Sequence, residues 1–324
     1  MLVKFADLVG ILERAGVERP LKDIKLLVCS VCGCSYGDLL GLPSVLVSDS
    51  DFMRIKGLVQ RRCTGEPLTK ILGAASFWEH RFLTNHSTLD PRPESEIIVE
   101  TVLRYFPHRS QTLSFLDLGT GTGCLLLSCL YEYAYSNGLG IDKSEKAVQI
   151  AVKNAEDLGL LERAHFFVQD WNDSIPSCQN IIDASICSAG AVLGAVSAPI
   201  PVPVQPSACI QSLSLHSARE LPAGTLKFDV VLCNPPYIQP GATLSREVLF
   251  DPPEALFGGE DGLQAYRDIF AMIPNSMVSG ALLFLEIGIG QSSDVLHLIP
   301  EGVSCVEIVN DLQGIPRVMV IKKA

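Results

Sequence analysis

Basic residues are in short supply in this chain of 324 residues: 25 Lys and Arg stand against 36 Asp and Glu, for a formal charge of -11. A surface that grips duplex DNA through its phosphates needs clustered Lys and Arg, so this balance argues against direct DNA binding and suits a basic protein partner. An export signal is also missing. From Met1 to Arg14, charges are spaced among apolar residues at helical intervals instead of giving way to an unbroken apolar stretch, and residence in the cytoplasm is expected. Eleven cysteines without such a signal read as free thiols. Cys29, Cys32 and Cys34 hold one C-x2-C pair, but no second pair answers it and the six histidines are scattered. No metal site is expected, and the three thiols read as small core residues of a helix. Charge is absent altogether from Ala184 to Ala218, a length that invites a membrane-spanning reading. Pro199, Pro201, Pro203 and Pro206 break any long helix there, and the flanking runs read as strands of one sheet. A mobile surface insertion at about 174–226 is expected instead, with no membrane segment.

Two motifs carry the chemistry. The strand-like run Ser114 to Leu118, with Asp117 near its end, feeds the turn Gly119-Thr120-Gly121-Thr122-Gly123 and then an apolar helix-like stretch. Glycines let a backbone turn tightly and approach a ligand. After the next strand-like run comes Asp142, 19 residues past Gly123, placed to accept hydrogen bonds from a ribose diol. The dinucleotide fingerprint G-x-G-x-x-G fails, since Cys124 or Leu126 stands where its third glycine belongs. A turn without a pyrophosphate site, beside acidic residues, suits S-adenosylmethionine, which carries a sulfonium and an ammonium. Further on, the apolar run from Phe228 to Cys233 ends in Asn234-Pro235-Pro236-Tyr237. The Asn234 side-chain oxygen and the Pro235 carbonyl offer two acceptors for one planar NH2 group, leaving its nitrogen lone pair free for an electrophile. Methylation of an amide or an exocyclic amine fits that arrangement.

The segments Thr64-Gly65-Glu66-Pro67, Ile71-Leu72-Gly73, Phe77-Trp78 and Asp90-Pro91-Arg92-Pro93-Glu94-Ser95-Glu96 resemble the signature of the HemK/PrmC family. Asp117 to Gly123, Asn234 to Tyr237, Phe250 to Gly262 and Leu285-Glu286-Ile287-Gly288 continue the likeness in order, over nearly the whole chain apart from the insertion. Members of that family are glutamine N5-methyltransferases that use S-adenosylmethionine, yielding S-adenosylhomocysteine, on the Gly-Gly-Gln motif of class 1 peptide chain release factors. The resemblance implies that Gly119, Gly121 and Gly123 lie against the methionine part of the cofactor, with Asp117, Thr120 and Thr122 in the same turn. It further implies that Asp170 and Trp171 flank the adenine and that Trp78 packs near the cofactor, a core position being the alternative for that ring. Pro236 and Tyr237 would wall the pocket, while Arg92 and Glu94 would organise its entrance. Two departures stand out: Asp90 replaces an apolar residue, and Thr69-Lys70 stands where an aromatic or histidine is frequent.

Residues 1–74 read as helices at 3–15, 22–33 and 49–63, a small recognition domain, with a hairpin-like connector at 75–90. From 91 to 324, strand-like runs at 114–118, 138–142, 165–169, 228–233, 281–287, 303–310 and 316–322 alternate with helical stretches. Alternation predicts an α/β fold, an open and mostly parallel sheet with helices on both faces. The resemblance adds seven strands in the class I methyltransferase order with a terminal antiparallel strand, and a monomer is expected. Two rival functions are a methyltransferase for an exocyclic amine of a nucleic-acid base, which requires base flipping, and a binding module that has lost activity.

Overall fold

The structure, a computed structural model, describes residues 1–173 and 226–324, so the insertion expected at about 174–226 falls outside the described residues except for Leu226. Helices α1 (Phe5–Arg14), α2 (Pro20–Cys32), α3 (Asp49–Cys63) and the short α4 (Leu68–Leu72) form the N-terminal part. Each boundary has a local cause. Pro20 opens α2 and Gly33, at φ 67°, closes it; the Ser48 side chain caps α3, whose first turn holds Asp49 and Asp51 and whose last holds Arg61 and Arg62. The all-helical expectation is corrected by a ribbon in which β1 (Leu2–Lys4) pairs antiparallel with β2 (Ser44–Leu46). Three residues per strand are too few to display a period of two, and burial of Val3 anchors the pairing. Cys32 is exposed, which corrects the core reading of that thiol, while Cys29 and Cys34, the latter beyond the helix, pack partly buried against the core. Val3, Phe5, Leu12, Ile24, Leu27 and Ile55 belong to a core separate from that of the sheet.

A hairpin follows, β3 (Ala74–Phe77) with β4 (His80–Leu83), and Trp78 at its turn adopts φ 54°, rare outside glycine. Next come α5 (Glu96–Tyr105), β5 (Ser114–Leu118), α6 (Cys124–Glu132), β6 (Asn137–Asp142), α7 (Glu145–Asp157) and β7 (Ala164–Val168). Beyond the insertion lie β8 (Phe228–Cys233), α8 (Gln264–Ser276), β9 (Met277–Glu286), α9 (Ser292–His297), β10 (Val303–Asn310) and β11 (Pro316–Lys323). The seven-stranded sheet runs β10-β11-β9-β8-β5-β6-β7. Only β11 is reversed, antiparallel to both β9 and β10, and it lies inside the sheet instead of at an edge.

Alternation along the central strands sorts side chains onto two faces. Phe115, Val230, Leu232, Leu282 and Phe284 pack on the face covered by α5 and α6, whereas Leu116, Val231, Cys233, Leu283 and Leu285 pack with α8 on the other. Parity then assigns three polar residues to the α5 face: Asp117 on β5, Asn234 one step past β8, and Glu286 at the end of β9. Cys233 pairs with both Leu118 and Leu285, so Asn234 lies one step beyond, between Gly119 and Glu286. Parallel strands β5, β6, β8 and β9 share one carboxyl end, where open α/β sheets bind ligands.

Candidate active site

At that carboxyl end a cleft of about 770 Å³ opens, lined in part by Gly119, Gly121, Asp142, Asp170, Trp171, Asn234 and Pro236. The glycine turn and the Asn-Pro-Pro-Tyr segment, far apart in the chain, therefore meet. Gly119, Gly121 and Gly123 all have positive φ, at 68°, 55° and 79°. A Cβ on Gly119 would stand 3.0 Å from the Trp171 ring, which packs over the turn, whereas one on Gly121 would enter space that holds no side chain of the described residues. Asp142 accepts from the Gly121 and Ser144 amides, each at 2.9 Å, and burial raises its pKa. Asp170 accepts from the Asn172 backbone and side chain at 2.9 Å.

Other turn residues face inward. Thr120 Oγ1 donates to Asp117 Oδ2 at 2.6 Å, and Thr122 is buried with its carbonyl accepting from Asn154. Gly123 caps α6. Asp117, Thr120, Thr122 and Gly123 thus build the turn from behind the residues that line the cleft. Asp117 is 1% exposed and its Oδ1 has no hydrogen-bond partner among the described residues. Burial, with the Asp142 charge adding to it, pushes its pKa up to about 7.

Asn234 Nδ2 donates to Ser95 Oγ at 2.9 Å, and no described residue donates to its Oδ1. Pro235 is buried and is not a lining residue; its carbonyl accepts no bond from the described residues. Tyr237 is also set back from the cleft: its hydroxyl donates to Glu286 Oε1 at 3.2 Å, and its ring packs in the core of the α8 face. Trp78 takes the alternative, a core position. It is not among the residues lining the cleft; its indole donates to Glu132 at 2.9 Å and its ring packs on the α5 face. Arg92 pairs with Asp251, and Glu94 is exposed.

The sequence reading assigned no role to Ser95, Glu286 or Lys70. Ser95 donates to Glu286 Oε2 at 2.5 Å, 191 residues away. Lys70, its side chain wholly buried, sits 2.8 Å from Asp90 and 3.1 Å from Asp251 and donates to the Asn85 carbonyl at 2.7 Å. Thr69 donates to the same Asp90, so the two departures from the family pattern are each other's partners. Ser95 and Glu286 fall inside quoted motifs, which was the available signal.

A sheet of this order, with a glycine turn after one central strand and Asn-Pro-Pro-Tyr after its neighbour, defines a class I S-adenosylmethionine-dependent methyltransferase fold. Comparison with known proteins narrows the class. Residues 6–73 match the PrmC N-terminal domain and residues 109–214 match a methyltransferase domain. The chain is 35% identical over 316 residues to the release factor glutamine methyltransferase of Rhodospirillum rubrum, covering 96% of this chain and 82% of that protein. With the Agrobacterium fabrum protein of the same name it shares 32% over 319 residues, covering 96% and 93%. It belongs to the release factor glutamine methyltransferase family. Among solved structures, the protein-(glutamine-N5) methyltransferase (release factor-specific) of Alicyclobacillus acidocaldarius aligns with 72% of this chain and 93% of that one, at 20% identity and a TM-score of 0.37. The family assignment rests on the sequence relatives.

Proposed function

We propose that this chain moves a methyl group from S-adenosylmethionine to the side-chain nitrogen, N5, of the glutamine in the Gly-Gly-Gln motif of class 1 peptide chain release factors. The observation that carries this reading is the anchored amide of Asn234: its NH2 is engaged by Ser95, so its oxygen remains to accept from an incoming amide beside the glycine turn.

The residues present fit the cofactor. Gly121 leaves open space, Trp171 lies over the turn, and Asp117 keeps a buried oxygen without a partner among the described residues, a match for an ammonium group. Gly119 and Gly121 would meet the methionine part, Asp142 would take the ribose hydroxyls with lone pairs not used by its two amides, and Trp171 with Asp170 would border the adenine. When bound, the cofactor supplies a sulfonium-activated methyl whose bond to sulfur breaks as the nitrogen lone pair takes the carbon. Asn234 Oδ1 and the Pro235 carbonyl would hold the two protons of the glutamine NH2, with Pro236 at the wall and Tyr237 bracing from behind. An amide nitrogen is a poor nucleophile, and positioning of this kind contributes ~7–11 kcal/mol in favourable cases. The proton would leave to water.

Among the described residues four carboxylates line the cleft, Asp142, Asp170, Glu254 and Asp268, against Lys143 alone of Lys and Arg. That potential favours a cationic cofactor and a basic polypeptide over a phosphate backbone. In this reading residues 1–74 recognise the release factor, 75–90 connect, and 91–324 catalyse, in a cytoplasmic monomer. Incubation with labelled S-adenosylmethionine and a release factor tests it. Label should enter the factor and vanish when its Gly-Gly-Gln glutamine is changed to alanine; equal labelling of that control would refute the assignment.

A further inference from the structure

Asn234 can serve in only one of two orientations. Rotated by half a turn, its carboxamide would meet the substrate NH2 with another NH2, donor against donor. Two groups from separate elements decide between them. Ser95 Oγ, which precedes α5, accepts from Asn234 Nδ2 at 2.9 Å and donates to Glu286 Oε2 at 2.5 Å. Glu286, 2% exposed at the end of β9, receives the Tyr237 hydroxyl on its other oxygen at 3.2 Å. An ionised carboxylate has no proton to give, so both hydroxyls must donate to it and Ser95 has only lone pairs left for Asn234.

Resting on the reading of Asn234 given above, we propose that Glu286, acting through Ser95, is a positioning residue that locks the Asn234 amide with its oxygen toward the substrate nitrogen. The direction of the chain depends on charge. Burial, and more weakly Glu94, raise the Glu286 pKa to about 6, while Ser95, Tyr237 and Arg317 of β11 oppose the rise; the other titratable groups close by are Tyr266 and Cys233. Burial raises both of those as well, leaving them neutral at that pH. Below that pH a protonated Glu286 can donate to Ser95, whose hydroxyl then turns to the Asn234 oxygen and stabilises the wrong rotamer. Turnover should therefore fall as acid is added through about pH 6.

Ser95→Ala, Ser95→Thr and Glu286→Gln test this in the full chain with a release factor. The amide introduced by Glu286→Gln can donate where the carboxylate could only accept, which removes the constraint on the direction of the Ser95 hydroxyl. Ser95→Ala and Glu286→Gln should each lower kcat ~10- to 100-fold, with substrate KM and calorimetric cofactor affinity within ~3-fold of the parent, and Ser95→Thr should restore most of the rate. The acid limb near pH 6 should disappear in Glu286→Gln. In nitrogen-15 NMR, the Asn234 side-chain protons should exchange faster in Ser95→Ala than in the parent. Parent-like kcat in Ser95→Ala would overturn the proposal, as would equal loss in the alanine and threonine variants or an unchanged acid limb. An inactive Asn234→Ala beside a fully active Ser95→Ala would defeat this inference alone; an active Asn234→Ala would defeat the reading beneath it. Should Glu286→Gln fail to fold, the Ser95 pair still decides.

Discussion

Asp251 and Asp117 are both buried, at 4% and 1% exposure, yet Asp251 receives Lys70 and the Asp90 amide on one oxygen and Arg92 on the other, while Asp117 keeps one oxygen without a partner among the described residues. The first belongs to a closed set of charges that joins α4 and the hairpin to the segment before Pro252 and Pro253, a wall of the cleft. Arg62 completes a similar joint, bonding Asp23 at 2.8 Å and Glu247 at 2.5 Å. Around Asp117 no such cation sits among the described residues, and Asp142 has its chain neighbour Lys143 nearby with no ion pair between them. Burial raises the pKa of Asp117, Asp142 and Asp251 alike; Lys143 opposes the rise at Asp142, and at Asp251 a lysine and an arginine both push back. Charge balanced within the protein holds its parts together; charge left unbalanced beside a cleft awaits a cation from outside.

The sharpest break would come from the centre of the cleft. Asn234→Ala should lower kcat ~10²- to 10³-fold, comparable to losing one preorganised group that stabilises a transition state, with cofactor affinity much less affected. Single-turnover methylation and calorimetry on one preparation would separate the two; near-normal turnover would remove Asn234 from the mechanism. Next, Lys70→Met leaves Asp90 without its cation and Asp251 with Arg92 in place of two cations, and should destabilise the protein by ~3–5 kcal/mol in denaturant unfolding. A loss below ~1 kcal/mol would mean the joint is not closed as described.

Asp117→Asn should do the opposite. The folded pKa of Asp117 lies above its ordinary value, so the ligand-free protein binds that proton more tightly than the unfolded chain and loses stability as pH rises from about 4 to about 7. Removing the carboxyl should flatten that slope and stabilise the ligand-free protein by ~1–3 kcal/mol above it, with a loss of about tenfold in S-adenosylhomocysteine affinity. If both stability and affinity fell together, Asp117 would be a structural group like Asp251. The smallest effect is expected at Trp78→Phe, which loses the bond to Glu132: ~1–2 kcal/mol of stability and unchanged cofactor affinity by calorimetry. A tenfold loss of affinity there would restore Trp78 to the cleft.

Legibility in the sequence followed chain distance. The glycine turn, Asp142 and Asn234 to Tyr237 were readable because each sits at a strand end, and the central strands were readable because they are largely apolar. Glu286 and Ser95 were not assigned a role, since their bond spans 191 residues and a lone Glu after an apolar strand looks like a strand terminus. Lys70 and Asp90 looked like two unrelated departures until the hairpin folded one onto the other. Trp78 was ambiguous because its type suits a cofactor wall and a core equally well, and its partner Glu132 lies 54 residues away. The ribbon of β1 and β2 was hidden by its brevity.

Strand β11 follows every other strand in the chain, yet it fills the interior place between β9 and β10. During synthesis on the ribosome, the flank of β9 that will face β11 must therefore wait as a bare edge, its amides and carbonyls open to any passing strand, until residues from Pro316 onward emerge. The enzyme that services translation is thus most vulnerable to aggregation while its own translation has yet to supply β11.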